Sequence, residues 1–288
     1  MGLAVGIAKR IAFSSILVVL AVIFVFTLSR LIPGDPITVL YGEMAADGTG
    51  NQLRKALGLD GPLYNQIAFY IVRVFSGNWG SSIYFHKSVF SIVLSRYLNS
   101  LVLTASSIAI AIIFCIVMGY IDFVLGKKNV AHIISLSSSI PTIWGVAILA
   151  LLAFLRIPMV YGHPIPPIVT LTVAGLGIMY RVFRDALSYA YSQPFIRMYT
   201  ALGYGKTRAY VKALRFSLPI VLAVFLKRFG IIVTGAVAVE KIFSYPGMGQ
   251  LFWLAFESRD YPLLIGWGLA TAITFIAVYT IADLLHTI

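Results

Sequence analysis

Charged side chains are what this 288-residue sequence has least of: 11% of its residues, against roughly 25% in soluble domains. Apolar residues reach 60%, more than a soluble fold of this length can hide, whereas lipid as solvent lets apolar side chains face outward. Cysteine is nearly missing. Cys115 stands alone in the run Ile112–Ile116, which excludes an intrachain disulfide and a Cys-rich metal site and leaves a small buried hydrophobe. His86, His132, His163 and His286 are scattered and suggest neither a metal site nor a catalytic triad. Near the apolar runs the carboxylates Asp122, Asp185 and Asp283 lie at the ends, too few and too dispersed for a membrane-embedded enzyme. No internal repeat is present, which speaks against a stand-alone secondary transporter or channel, the competing class for a chain of this composition.

Long apolar runs are what the sequence does have. A spanning helix needs about 20 apolar residues, and six segments approach this: Ile11–Ser29, Leu101–Ile121, Val130–Leu155, Pro164–Tyr180 extended to about Leu187, Leu218–Val239 and Tyr261–Leu285. Lys9-Arg10 before the first run resembles the start of a signal peptide. The run is longer than such a segment needs, and Arg30-Leu31-Ile32-Pro33 follows it in place of a small-residue cleavage site, so it reads as a retained first helix. Pro33-Gly34-Asp35-Pro36 reads as its stop.

The net charge of +12 is explained by retention of Lys and Arg on the cytoplasmic side rather than by binding to nucleic acid. With the N-terminus inside, the cytoplasmic segments hold Lys9, Arg10, Lys127, Lys128, Arg181, Arg184, Arg197, Lys206, Arg208, Lys212 and Arg215, with Asp185 almost their only acid. The outer segments hold Arg30, Arg54, Lys55, Arg73, Lys87, Arg96, Arg156, Lys241 and Arg259, most of them in the long first loop and offset there by Asp35, Glu43, Asp47 and Asp60. The expectation is an all-α integral membrane protein of the cytoplasmic membrane. It has six transmembrane helices, both termini cytoplasmic, and a single transmembrane domain over 1–288, with an outer loop at 32–99 and an inner loop at 188–217.

The inner loop carries the most information. Pro194 suits a helix start, and Phe195, Met198, Tyr199 and Leu202 share one side of a short helix that Gly203 and Gly205 would end. A second helical stretch then runs to Leu218-Pro219. Such an amphipathic element rests on headgroups or docks in a partner's groove. Gly205-Lys206-Thr207 imitates the end of a phosphate-binding loop, but Thr200 stands where that pattern needs its first glycine, and no buried strand precedes it. ATP, if it drives the protein, is bound by another subunit.

With these residues in view the loop resembles the "EAA" coupling loop of ABC importer permeases, and Thr200-Ala201-Leu202-Gly203-Tyr204-Gly205 is similar to the Thr-Ala-Arg-Ala-Lys-Gly form of the dipeptide/oligopeptide branch. Three more stretches resemble the B-type subunit of that branch in the same order. They are Arg30-Leu31-Ile32-Pro33-Gly34-Asp35-Pro36, then Gly77-Asn78-Trp79-Gly80-Ser81-Ser82, then Glu240-Lys241-Ile242-Phe243-Ser244-Tyr245-Pro246-Gly247-Met248-Gly249 followed by Arg259-Asp260-Tyr261-Pro262. The Glu of "EAA" is absent, and Lys206-Thr207 is atypical after the glycine. The resemblance implies an importer of di- or oligopeptides, or of oligosaccharides or another solute. It implies a second homologous permease subunit, two ATP-binding subunits carrying ATP and Mg, and an extracytoplasmic substrate-binding protein, with no cofactor on this chain. It also implies that Arg197, Tyr199, Thr200, Ala201, Leu202, Gly203 and Gly205 form the coupling site, and that Glu240, Tyr245, Pro246 and Gly247 belong to the outer mouth.

Lys227-Arg228 departs from that pattern. The pair sits amid Leu218–Val239, which contains thirteen Leu, Ile, Val or Phe residues. Those contribute roughly −4 to −8 kcal/mol to insertion, and two central cations oppose it by about 5 to 7 kcal/mol. The helix is therefore expected to face protein or a water-filled path, as a structural ion pair or as a lining of the translocation route.

Overall fold

Backbone in lipid must satisfy its own hydrogen bonds, so long apolar runs become helices. The computed structural model describes residues 2–31, 62–126 and 162–285. In chain order they form α1 (Gly2–Leu31), α2 (Leu63–Phe75), α3 (Val89–Phe123), α4 (Ile165–Ser192), α5 (Pro194–Ala201), α6 (Lys206–Gly235), α7 (Val237–Ile242), α8 (Met248–Glu257) and α9 (Tyr261–Leu285). Five of these, α1, α3, α4, α6 and α9, are long and apolar enough to cross a membrane. The run expected at Val130–Leu155 lies outside the described residues.

Helix ends do not coincide with the ends of the apolar runs: α1 starts at Gly2 rather than Ile11, and α6 ends at Gly235 rather than Val239. Helix α3 starts at Val89, well before Leu101, because its first turns are polar on one side (Ser91, Ser95, Asn99) and hold no continuous apolar run. Helix α4 continues past Leu187 to Ser192. Helix α6 runs unbroken from Lys206 through Pro219. A proline removes one backbone donor; the carbonyl it deprives belongs to Arg215, which is exposed.

The chain divides into two compact units, Tyr97–Gln250 with Ala277–Ile288, and Gly2–Arg96 with Leu251–Ile276. In the first, α6 packs along α4, and both touch α5. Its core joins Leu103, Ile108, Ala111 and Cys115 of α3 to Met179, Tyr180, Phe183 and Leu187 of α4 and to Tyr210, Val221 and Phe225 of α6. Small polar residues let α3 approach α4: Ser107 Oγ donates to the Ile168 carbonyl, and Thr172 Oγ1 donates to the Ser107 carbonyl, the small-residue packing expected between helices in lipid. Asp122 of α3 pairs with Arg184 of α4 at 2.9 Å. In the second unit α2 lies on α1, with Phe26 and Tyr70 in ring contact at 5.1 Å and Val22, Val74 and Leu269 buried together.

Candidate functional site

The residues singled out in the sequence fall into three places. The first is the α5 knuckle. Gln193, in extended conformation, caps α5, and Pro194 opens it. Gly203, at φ +81°, supplies the left-handed residue that ends it, and Gly205 caps α6. Lys206 and Thr207 are thus the first turn of a helix preceded by another helix, not the end of a phosphate-binding loop. The protein's own core takes Ile196, which is buried, and Phe195, whose ring packs on Phe216 at 5.1 Å. Tyr199 stacks on Tyr204 at 4.2 Å, with Lys212 and Arg208 over the two rings. Arg197, Thr200, Ala201, Gly203 and Gly205 are exposed. Met198 and Leu202, at 59% and 66% exposed, are apolar residues one helical turn apart that the described residues leave uncovered.

The second place is the turn after α7. Ser244 adopts the left-handed region at φ 51°, which lets Tyr245 N donate back to the Glu240 carbonyl at 2.9 Å and reverses the chain toward α8. Glu240 is fully buried. Its carboxylate accepts from Ser100 Oγ at 2.7 Å, from Gly249 N at 2.7 Å and from Gln250 N at 3.2 Å. Ser100 Oγ in turn accepts from Met248 N, so the otherwise unpaired amides opening α8 are satisfied by one side-chain cluster. Gly247 is required for space, since a Cβ there would overlap the Glu240 carboxylate. Asn99 Nδ2 donates to the Pro246 carbonyl, and Tyr245 Oη donates to the Asn99 carbonyl. Burial, with the Glu240 carboxylate adding to it, pushes the Tyr245 phenol above its ordinary pKa and keeps it a donor.

Two stretches recognised separately in the sequence meet around Asp260, also fully buried. Its Oδ2 accepts from Ser82 Oγ at 2.5 Å and from Tyr84 N at 3.1 Å, and its Oδ1 accepts from Leu263 N at 3.2 Å, the side-chain cap of α9. Arg259, left-handed at φ 53°, closes α8 just before it. The Gly77–Ser82 and Arg259–Pro262 segments are therefore two halves of one hydrogen-bonded joint. Asp260→Ala should leave three donors without their acceptor and cost about 2 kcal/mol. Faster tryptic cleavage at Lys87 in the folded protein would report it, and unchanged cleavage would count against the joint.

The third place is the α6 cation pair, whose members separate. Lys227 Nζ lies 3.2 Å from Asp283 Oδ1 and 5.7 Å from the Tyr279 ring, both on the last turns of α9. Arg228 turns to α4, where its guanidinium lies against Gly175: a Cβ there would sit 2.6 Å from Nη2 and 2.7 Å from Nε. Arg228 Nε is buried without a hydrogen-bond partner. Residue type and spacing marked the pair in the sequence. The division of labour was not legible, because it depends on which helix each side chain meets.

Two comparisons with known proteins bear on this arrangement. Residues 111–288 match the family described as binding-protein-dependent transport system inner membrane component, and residues 5–106 match its N-terminal companion. The chain is 29% identical over 276 residues to the glutathione transport system permease protein GsiC of Escherichia coli (strain K12), covering 92% of this chain and 90% of the relative. It is 28% identical over 284 residues to the same permease of Salmonella choleraesuis, covering 94% and 92%. The apolar helices and the family match agree, and the chain belongs to the binding-protein-dependent inner membrane components as a multi-pass permease subunit of an ABC importer.

Proposed function

We propose that this permease forms half of the translocation path for di- or oligopeptide-like solutes and takes its motion from separate ATPase subunits docked on α5. The observation that carries the coupling role is the α5 knuckle, which presents Met198 and Leu202 outward while Ile196 anchors it in the chain's own core. A short helix held this way transmits displacement to α4 and α6, against which it packs. ATP and Mg belong to the docked subunits, a second permease subunit completes the path, and the termini and α5 face the cytoplasm. The Glu240–Gly249 turn shapes the outer mouth, where a substrate-binding protein delivers its load. The peptide assignment is supported by the relatives' description as glutathione permeases, glutathione being a peptide-like solute.

The test is biochemical. The detergent-solubilised chain is expected to bring down two ATPase subunits, and the assembled complex to hydrolyse ATP faster with a peptide-loaded binding protein. Stimulation by an oligosaccharide-loaded binding protein alone would replace the peptide reading, and isolation of a solitary active chain would end the importer reading. Lys227, held by Asp283, contributes field rather than contact to the path. Lys227→Leu is expected to assemble normally and lower uptake about threefold, and unchanged uptake by the assembled variant would remove it from the path.

A further inference from the structure

Among the described residues no carboxylate pairs with Arg228. The chain has ten acidic residues. Among the described ones, Asp122 is taken by Arg184 and Asp283 by Lys227, while Glu240 and Asp260 are buried in their own hydrogen-bonded joints. Asp185 and Glu257 form no ion pair with Arg228 among the described residues. Residues 127–161 contain neither Asp nor Glu, and the remaining acids, Asp35, Glu43, Asp47 and Asp60, all belong to the 32–61 segment. Arg228 Nε is sealed without a hydrogen-bond partner, although the residue as a whole is only half-buried.

An unpaired guanidinium inside a membrane protein is costly, and ionisable residues at such depth mark substrate routes more often than scaffolding. The depth follows from the fold: Gly175 lies ten residues along α4 from Ile165, about 15 Å at 1.5 Å per residue. The seat is specific as well. Gly175 leaves room for the guanidinium against α4, since a Cβ there would sit 2.6 to 2.9 Å from Nη2, Nε and Cζ. An always-charged planar fork matches a carboxylate in two parallel hydrogen bonds, a geometry that a hydroxyl does not supply.

We propose that Arg228, seated on Gly175, is the point where the path recognises a carboxylate of the solute in transit, while Lys227 is tied to α9 by Asp283. The inference rests on the importer reading above and narrows its substrate class to solutes carrying a free carboxylate.

The experiment uses the whole complex in proteoliposomes with its binding protein, and compares trialanine with trialanine amide. In the wild type the acid is expected to enter roughly tenfold faster than the amide, the size of one charge-assisted pair. In Arg228→Gln that ratio falls to about one through loss of acid uptake. Arg228→Lys keeps part of it, and Gly175→Ala lowers it by displacing the guanidinium. Equal loss of acid and amide uptake in Arg228→Gln, or a preserved ratio, overturns the proposal. So does loss of the assembled complex, which would make Arg228 a partner for a carboxylate of the second permease subunit. A wild-type complex that imports neither peptide strikes the peptide reading itself and takes the proposal with it.

Discussion

Glu240→Ala is expected to destabilise the chain by about 3 kcal/mol. The reason is asymmetry. A buried hydrogen bond contributes modestly when made, but a buried donor left without its acceptor costs about 1–3 kcal/mol. Glu240 holds Ser100 Oγ, Gly249 N and Gln250 N at once, and two of these are amides at the positive end of α8, where an anion is favoured further. Removing the carboxylate strands Ser100 Oγ and Gly249 N in a buried site and Gln250 N in a half-buried one. Glu240→Gln keeps the volume and one carbonyl oxygen but turns an amino group toward donors, so about half the loss should remain. Ser100→Ala removes one link and should cost about 1 kcal/mol. Gly247→Ala should behave like Glu240→Gln, since its new methyl group overlaps the carboxylate. In a thermal unfolding measurement on the solubilised complex, Glu240→Ala should fall by roughly 6–12 °C. A transition unchanged from wild type would remove the carboxylate from the fold's supports.

The apolar runs made the long helices legible because their signal, some twenty consecutive apolar residues, is local. Pro194 and Gly203 made α5 legible for the same reason, since start and stop are written beside the helix itself. Helices α2 and α8 are not legible in the sequence. Leu63–Phe75 is broken by Asn65, Gln66 and Arg73, and Met248–Glu257 is too short to span; each is a helix because of the surface it covers. The carboxylate joints were legible only as motifs. Nothing in Ser82 points to Asp260, 178 residues away in the chain, and nothing in Ser100 points to Glu240. What the sequence does contain is Glu240 directly after the apolar run that ends at Val239, and a buried carboxylate needs donors. The separate fates of Lys227 and Arg228 follow a rule that needs no alignment: adjacent residues on a helix point about 100° apart, so a doublet meets two different neighbours.

The largest effect on function is expected from Met198→Asp with Leu202→Asp. Met198 on α5 and Leu202, which caps its C-terminal end, lie at i and i+4, share one side, and are exposed. Substituting them removes nothing from the core, because α5 is anchored by Ile196 and by the Phe195–Phe216 contact. Surface changes of that kind stay within about 0.5 kcal/mol of neutral, so the variant should insert and unfold like wild type. At an interface the same positions act differently. An apolar anchor in a partner's groove contributes about 2 kcal/mol or more, and two carboxylates placed there must also be stripped of water on docking. Together the changes should weaken ATPase capture by at least about a thousandfold and abolish binding-protein-stimulated hydrolysis. Copurification with the ATPase subunits reads the first effect, and hydrolysis in proteoliposomes reads the second. A single Arg197→Ala change on the same helix should weaken capture only slightly, because a rim charge mainly affects association rate and salt dependence. Normal capture by the doubly substituted chain, with transport intact, would move the docking surface away from α5. Normal capture with transport lost would instead show that α5 transmits the ATPase motion without supplying the docking energy.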